Sequence, residues 1–238
     1  FPRLESCTAS FLIRGSNIQT LDLSSATLLK ETDGNNKQCL IGNCPLLQTL
    51  YLGDYVEIKQ LVGGNSPNMS NFTYPSDLHI YGREIYSTSI PSITSNPNTN
   101  PDIVAKKVYL HGIKGCRINI SGSSSYLDTT MKYIYIECCG ERSDHIMLHG
   151  GAAAYNSNAL SDIEISNGTR QRLIFKSIKN LTAENIVNHI FEKLADNRYE
   201  DDGVTEAPAI YITLESVNLA KLTDEQKAIA LNKNYILN

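Results

Sequence analysis

The chain has 238 residues, 41% of them hydrophobic and 19% charged, a balance that suits a folded protein and is too apolar for a disordered one. No stretch reaches the roughly 18 consecutive apolar residues that a membrane-spanning helix requires. A formal net charge of −4 and a pI near 5.7 argue against nucleic acid as a partner, because a phosphate-binding surface needs a basic excess.

The chain opens on Phe1 with no leader-like segment, and it reads as a processed or excised piece. From the N-terminus an apolar frame recurs: one apolar residue, two skipped, one apolar, one skipped, one apolar. It stands at Ile18/Leu21/Leu23, Leu47/Leu50/Leu52, Pro75/Leu78/Ile80, Ala105/Val108/Leu110, Met131/Ile134/Ile136 and Leu160/Ile163/Ile165, with a period of 26–30 residues. The first two occurrences read IQTLDL and LQTLYL, with four identities in six. Alternate residues of a strand share a face, so the last two apolar residues of each frame point the same way. One short strand buries too little to stand alone, and stacked strands build a continuous ladder. The expectation is a solenoid of about six rungs over residues 1–178, α/β leaning to mainly β. An antiparallel sandwich is the alternative, because further apolar runs lie between the rungs at Val56–Leu61, Arg117–Ile120 and His145–His149.

The Ser-, Thr-, Asn- and Pro-rich stretch 87–102 is expected to project between the third and fourth rungs. Cys138, Cys139, His145 and His149 are the best zinc candidates, but the alternation of His145–His149 reads as a strand, which would hold the two imidazoles about 13 Å apart. No metal or other cofactor is therefore expected. The six cysteines read mostly as small buried hydrophobes. No nucleophile elbow, phosphate loop, dinucleotide fingerprint or His-Glu-x-x-His stands in the chain, and no enzyme activity is expected.

After Leu181 the period changes. Thr182 reads as an N-cap for an amphipathic helix over 183–196, with Ile186, Ile190 and Leu194 on one side. An acidic loop follows at Asn197–Glu206, then an alternating strand at Ile210/Ile212/Leu214. Thr223-Asp-Glu-Gln226 is a capping box opening a second helix that runs to about Asn232, and Tyr235-Ile-Leu closes as a strand. Residues 179–238 read as a helix-containing C-terminal cap, or as a small independent α+β domain.

With the six frames aligned rung to rung, outward columns follow. The central one reads Asp22, Tyr51, His79, Tyr109, Tyr135, Glu164; the next reads Ser24, Gly53, Tyr81, His111, Glu137, Ser166; the preceding one holds Lys107 and Tyr133. Tyr51, His79, Tyr81, Tyr109, His111, Tyr133, Tyr135 and Glu137 are the candidate ligand-binding residues, since tyrosine offers rigid contact area with a polar tip.

Residues 44–52, CPLLQTLYL, resemble the Cys-x-x-Leu-x-x-Leu-x-Leu form of leucine-rich repeats, and the isoleucine-rich rungs look like BspA-like repeats of bacterial surfaces. The segment Leu219–Tyr235 resembles a C-terminal signature of such proteins in gut Bacteroidales and their phages. The resemblance lacks the usual Asn ladder, and only the second rung carries the Cys. It implies an extracellular, cell-surface or virion-borne binding module with a protein or glycan partner, no membrane insertion in this segment, and membership of a longer chain or assembly.

Overall fold

A computed structural model describes residues 6–7, 12–14, 17–30, 40–42, 46–57, 63–64, 77–89, 92–93, 107–119, 132–150 and 160–238. The strands recur in a fixed order along the chain. First come β1 (Ser6–Cys7), β2 (Leu12–Arg14) and β3 (Thr20–Asp22), then β4 (Leu28–Lys30), β5 (Leu40–Gly42) and β6 (Thr49–Tyr51). Next are β7 (Tyr55–Glu57), β8 (Gly63–Gly64) and β9 (Asp77–Tyr81), followed by β10 (Glu84–Ser89), β11 (Ser92–Ile93) and β12 (Lys107–Ile113). The described strands then alternate as β13 (Gly115–Asn119), β14 (Tyr133–Cys138), β15 (His145–His149), β16 (Asp162–Ile165) and β17 (Arg172–Lys176).

Every third strand of this order, and later every second, joins one six-stranded sheet, β3-β6-β9-β12-β14-β16. The others build a second sheet that begins β1-β4-β7-β10-β13-β15-β17, while β2-β5 and β8-β11 form two short ladders. All these pairings are parallel, so each coil of chain adds one strand to each face of a β-solenoid. Five returns separate the first strand of the six-stranded sheet from the last. Where they are described, at residues 56–57, 117–119 and 145–149, the apolar runs between the rungs form the second face of the coil, and the described strands build no antiparallel sandwich. Of the expected projecting stretch 87–102, residues 87–89 end β10 and Ser92–Ile93 form β11; the rest lies outside the described residues, as do Pro75, Ala105, Met131, Cys39 and Cys44.

The ladder is in register with one displacement. Leu21 pairs with Leu50, Leu50 with Ile80, Ile80 with Leu110, Leu110 with Ile136 and Ile136 with Ile165. Aligning the frames sets Leu50 beside Leu78; the structure slips this rung by two residues. A two-residue slip keeps every side chain on its own face, so Leu78, Val108, Ile134 and Ile163 are buried as well. The cause lies at the strand ends. In the first two rungs the corner stands at Leu23 and Leu52, the last residues of the frame, whereas in the third it stands at Gly82, two residues past Ile80. Bonds from Leu23 N to Tyr51 O, Leu52 N to Tyr81 O and Gly82 N to His111 O align the turns.

A second spine runs down the other sheet through Val56, Ile85, Cys116, Ile146, Leu173 and Ile212, each fully buried. Together the two spines fill the coil, each large aliphatic contributing roughly 1.5–3 kcal/mol by burial. The corners between the sheets are tight. At Gly53 an added Cβ would fall inside the Ala26 carbonyl, so only glycine lets these coils stack.

Beyond β17 the chain forms α1 (Ala183–Asn185), which continues as a π-helix over Ile186–Phe191 and not as the α-helix to residue 196 that the spacing suggests. Thr182 caps it, its hydroxyl accepting from Asn185 N at 3.1 Å. Then come β18 (Ile210–Thr213), α2 (Ser216–Leu219), α3 (Asp224–Leu231) and β19 (Tyr235–Leu237), and the capping box of Thr223 and Gln226 is complete. β18 and β19 extend the second sheet to nine strands. Among the described residues no helix is long and apolar enough to cross a membrane.

Candidate functional site

The outward side of the six-stranded sheet carries the residues between the buried spine positions. Corrected for the slip, one column reads Thr20, Thr49, His79, Tyr109, Tyr135, Glu164, and the next begins Asp22, Tyr51, Tyr81, His111. Tyr51 therefore stands beside Tyr81 and not beside His79. Lys107, Tyr133 and Asp162 form the outer column, with Asp77 beside Lys107. All eight expected residues lie on this one face.

Their rings stack along the columns. Tyr51 and Tyr81 lie 4.8 Å apart and Tyr81 and His111 4.4 Å, with interplanar angles of 23° and 14°. His79 stacks on Tyr109 at 4.4 Å and 5°. Ring faces in these columns are turned on one another, so edges and hydroxyls point outward. Further along, Tyr135 tilts by 49° against Tyr109 and 55° against His111, and Tyr133 tilts by 59° against Tyr109, with Lys107 6.0 Å above the Tyr133 ring. The Tyr133 hydroxyl donates to Glu164 Oε2 at 2.7 Å, and burial together with that carboxylate pushes its pKa far up, so it stays a donor.

Two of the chain's five histidines meet across the columns. His79 Nδ1 lies 3.1 Å from His111 Nε2, and His111 Nδ1 lies 3.5 Å from Glu137 Oε2. Glu137 is held in place by the amide of Gly112, which donates to the same oxygen at 3.2 Å; Gly112 sits at φ +72°, where a side chain is strained. With Glu137 ionised, one proton arrangement satisfies the whole chain: His79 Nδ1–H donates to His111 Nε2, and His111 Nδ1–H faces Glu137. His111 must then keep a bare Nε2. Burial and the neighbouring His79 lower its pKa, against the opposing pull of Glu137.

Beside this face, where the strands turn into the second sheet, runs an open groove of about 400 Å³ walled by Tyr81, His111 and Glu137 and floored by the corners at Gly53, Gly82 and Gly112. Asp54 and Arg83 stand on its rim and continue into a neighbouring depression with Glu84 and Lys114. This groove is not legible in the sequence, because its residues come from corners of different coils about 30 positions apart. The common signal is a glycine one or two residues after the frame, at Gly53, Gly82 and Gly112.

At the far end of the sheet Asp162 on β16 receives the π-helix. His189 Nδ1 lies 2.8 Å from Asp162 Oδ1, the Asn185 amide bonds the same oxygen, and Asn185 Oδ1 accepts from Ile163 N at 3.4 Å. The chemistry here is a satisfied edge with no nucleophile beside it.

The other sequence candidates are dispersed. His145 and His149 lie on strand β15, four residues apart on the outer side of the nine-stranded sheet, with Cys139 at a corner. Among the described residues no three His, Cys, Asp or Glu side chains are grouped to hold a metal ion. Burial raises the Cys116 thiol, and the Cys138 thiol is pushed up to about 12, so neither is a thiolate at neutral pH. Comparison with protein-family models, with curated proteins and with solved structures gave no match.

Proposed function

We propose that this chain is a non-catalytic recognition module that holds a protein or glycan ligand against the outward face of its six-stranded sheet. The observation that carries the reading is the gathering of Tyr51, His79, Tyr81, Tyr109, His111, Tyr133 and Tyr135 on one side of a sheet whose other side is a buried spine. A rigid scaffold with aromatic edges and polar tips binds at low entropic cost. Tyr51 and Tyr81 remain 36% and 37% exposed, enough to meet a partner.

The solenoid is read as a leucine-rich repeat of the BspA-like kind, on the strength of CPLLQTLYL at residues 44–52 and the recurring frame. The helices after β17 are read as its cap: the Asn185 side chain accepts the Ile163 amide on the edge strand β16, as a terminal repeat must. Display on a bacterial surface, or on a phage particle, is the setting these resemblances support.

One observation favours a second reading, a structural spacer within a larger assembly: the stacked rings spend their faces on each other, as cross-strand ladders do for sheet stability. The two separate on one experiment. Wild-type protein and a Tyr51→Ser/Tyr81→Ser variant are applied to a saccharide array and to surface-protein extracts, with Tyr211→Ser, an exposed tyrosine on β18, as control. Recognition requires a ligand whose binding falls at least tenfold in the double variant and holds in the control. A ligand bound equally by all three removes the tyrosine face as the site, and no bound ligand at all leaves the spacer.

A further inference from the structure

We propose that the groove at the strand ends takes a neutral saccharide, held by Asp54, Arg83, Tyr81 and Glu137. This rests on the recognition reading above and names its ligand class.

The groups lining the groove are mostly unsatisfied. Among the described residues the side chains of Asp54 and Arg83 form no ion pair or hydrogen bond, their backbone carbonyls alone being bonded, and the Tyr81 hydroxyl forms none either. Both contacts of Glu137 fall on Oε2, so Oε1 is unused, and the side chain is 46% exposed. The groove thus presents a guanidinium fork, two carboxylates and a phenol within one cavity. Adjacent hydroxyls of a sugar ring are at once donors and acceptors. Planar forks of the carboxylate and guanidinium type bridge such pairs with two bonds at a time.

Charge and shape exclude the other classes. Asp54, Glu84 and Glu137 outnumber the cations Arg83 and Lys114 along the groove, and Lys114 already faces Glu84 at 3.5 Å and Asp144 at 3.9 Å. Sulfate, phosphate or sialate would meet no cationic excess. A protein ligand anchors through an aromatic or aliphatic side chain seated in a dry pocket. Here the floor is glycine, and among the described residues of the lining the only large aliphatic is Leu52, itself buried. A volume of about 400 Å³, open along one side, accommodates one or two sugar rings of a longer chain. The ring edges of Tyr51 and Tyr81 continue from the groove onto the sheet face, which supplies the less polar sides of the sugar with contact.

The test applies an array of neutral, sialylated and sulfated oligosaccharides to the wild-type chain, to Asp54→Asn and to Arg83→Gln, followed by titration calorimetry with the best neutral binder. Both substituted residues are exposed and unpaired, so the fold is expected to be unaffected. The expected result is preference for a neutral saccharide, with affinity at least tenfold lower in each variant. Preference for sialylated or sulfated saccharides overturns the proposal, as does equal affinity in wild type and variants. Loss of saccharide binding in Tyr51→Ser/Tyr81→Ser with none in Asp54→Asn or Arg83→Gln removes the groove and keeps the face. Absence of binding to every saccharide also overturns the proposal, while a protein ligand captured by the face keeps the recognition reading standing alone.

Discussion

At the scale of single residues, two polar networks set what the molecule tolerates. The first is the relay from His79 through His111 to Glu137. Because the fold lowers the His111 pKa, the folded chain holds this imidazole neutral while the unfolded chain binds a proton near the ordinary value of 6.5. The stabilisation is therefore fully present above pH 6.5 and is lost as pH falls from 6.5 toward the lowered value. His149, lowered by burial and by Lys176 and Arg117, acts in the same direction. The unfolding midpoint is expected to fall between pH 7.5 and pH 5, and His111→Phe, which keeps a ring in the stack, to flatten part of that slope. An identical slope in the variant contradicts the relay. The second network is the buried Gln171 amide, which accepts from Gly140 N at 3.0 Å and donates to Lys114 O, tying three corners together. Gln171→Leu leaves two backbone groups without partners and is expected to cost about 1–3 kcal/mol in denaturant unfolding. A change below about 0.5 kcal/mol shows that water or a shift of the corner satisfies them instead.

Elements show where the sequence is legible and where it is not. The capping box at Thr223 was readable because its chemistry is local: a hydroxyl and an amide three residues apart find each other's backbone. Thr223→Ala is expected to cost about 0.5–2 kcal/mol, checked by the same unfolding. The π-helix was not readable, since Ile186 and Ile190 bury the same side whether the turn closes at four residues or five. Its end is held from far along the chain, where Lys233 Nζ donates to the carbonyls of Phe191, Glu192 and Leu194 at 3.0–3.1 Å. An ammonium at a helix C-terminus satisfies orphan carbonyls and meets the negative end of the dipole. Lys233→Met is expected to lower stability by roughly 1–3 kcal/mol and to raise amide exchange across residues 186–194. Unchanged exchange there shows that the lysine is decorative. The short strands of the second sheet lay between these extremes: their apolar runs were visible, but two to six residues cannot declare which face of a coil they serve.

For the whole molecule the sequence carried the period and the burial, but not the alignment of neighbouring coils. Leu21 to Leu50, Ile80, Leu110, Ile136 and Ile165 is one uninterrupted column at most 2% exposed. A slip of two residues leaves apolar alternation unchanged, so it is silent in a one-dimensional pattern and shows only through the corner hydrogen bonds. Yet it decides the proposed binding surface, because it brings Tyr51 to Tyr81 and lines up the groove. In a stack where each coil touches only its neighbours, truncation of a central rung such as Ile80→Ala is expected to cost about 2–5 kcal/mol and to loosen the coils beside it more than the distant C-terminal strands. The register itself is open to direct measurement by nuclear Overhauser contacts between selectively labelled Leu, Ile and Val methyl groups. The expected result is a chain of strong contacts from Leu50 to Ile80 and from Ile80 to Leu110, with Leu78 strongest to Val108. A stronger contact from Leu50 to Leu78 than to Ile80 would contradict the register, and with it the arrangement of the tyrosine face and the groove.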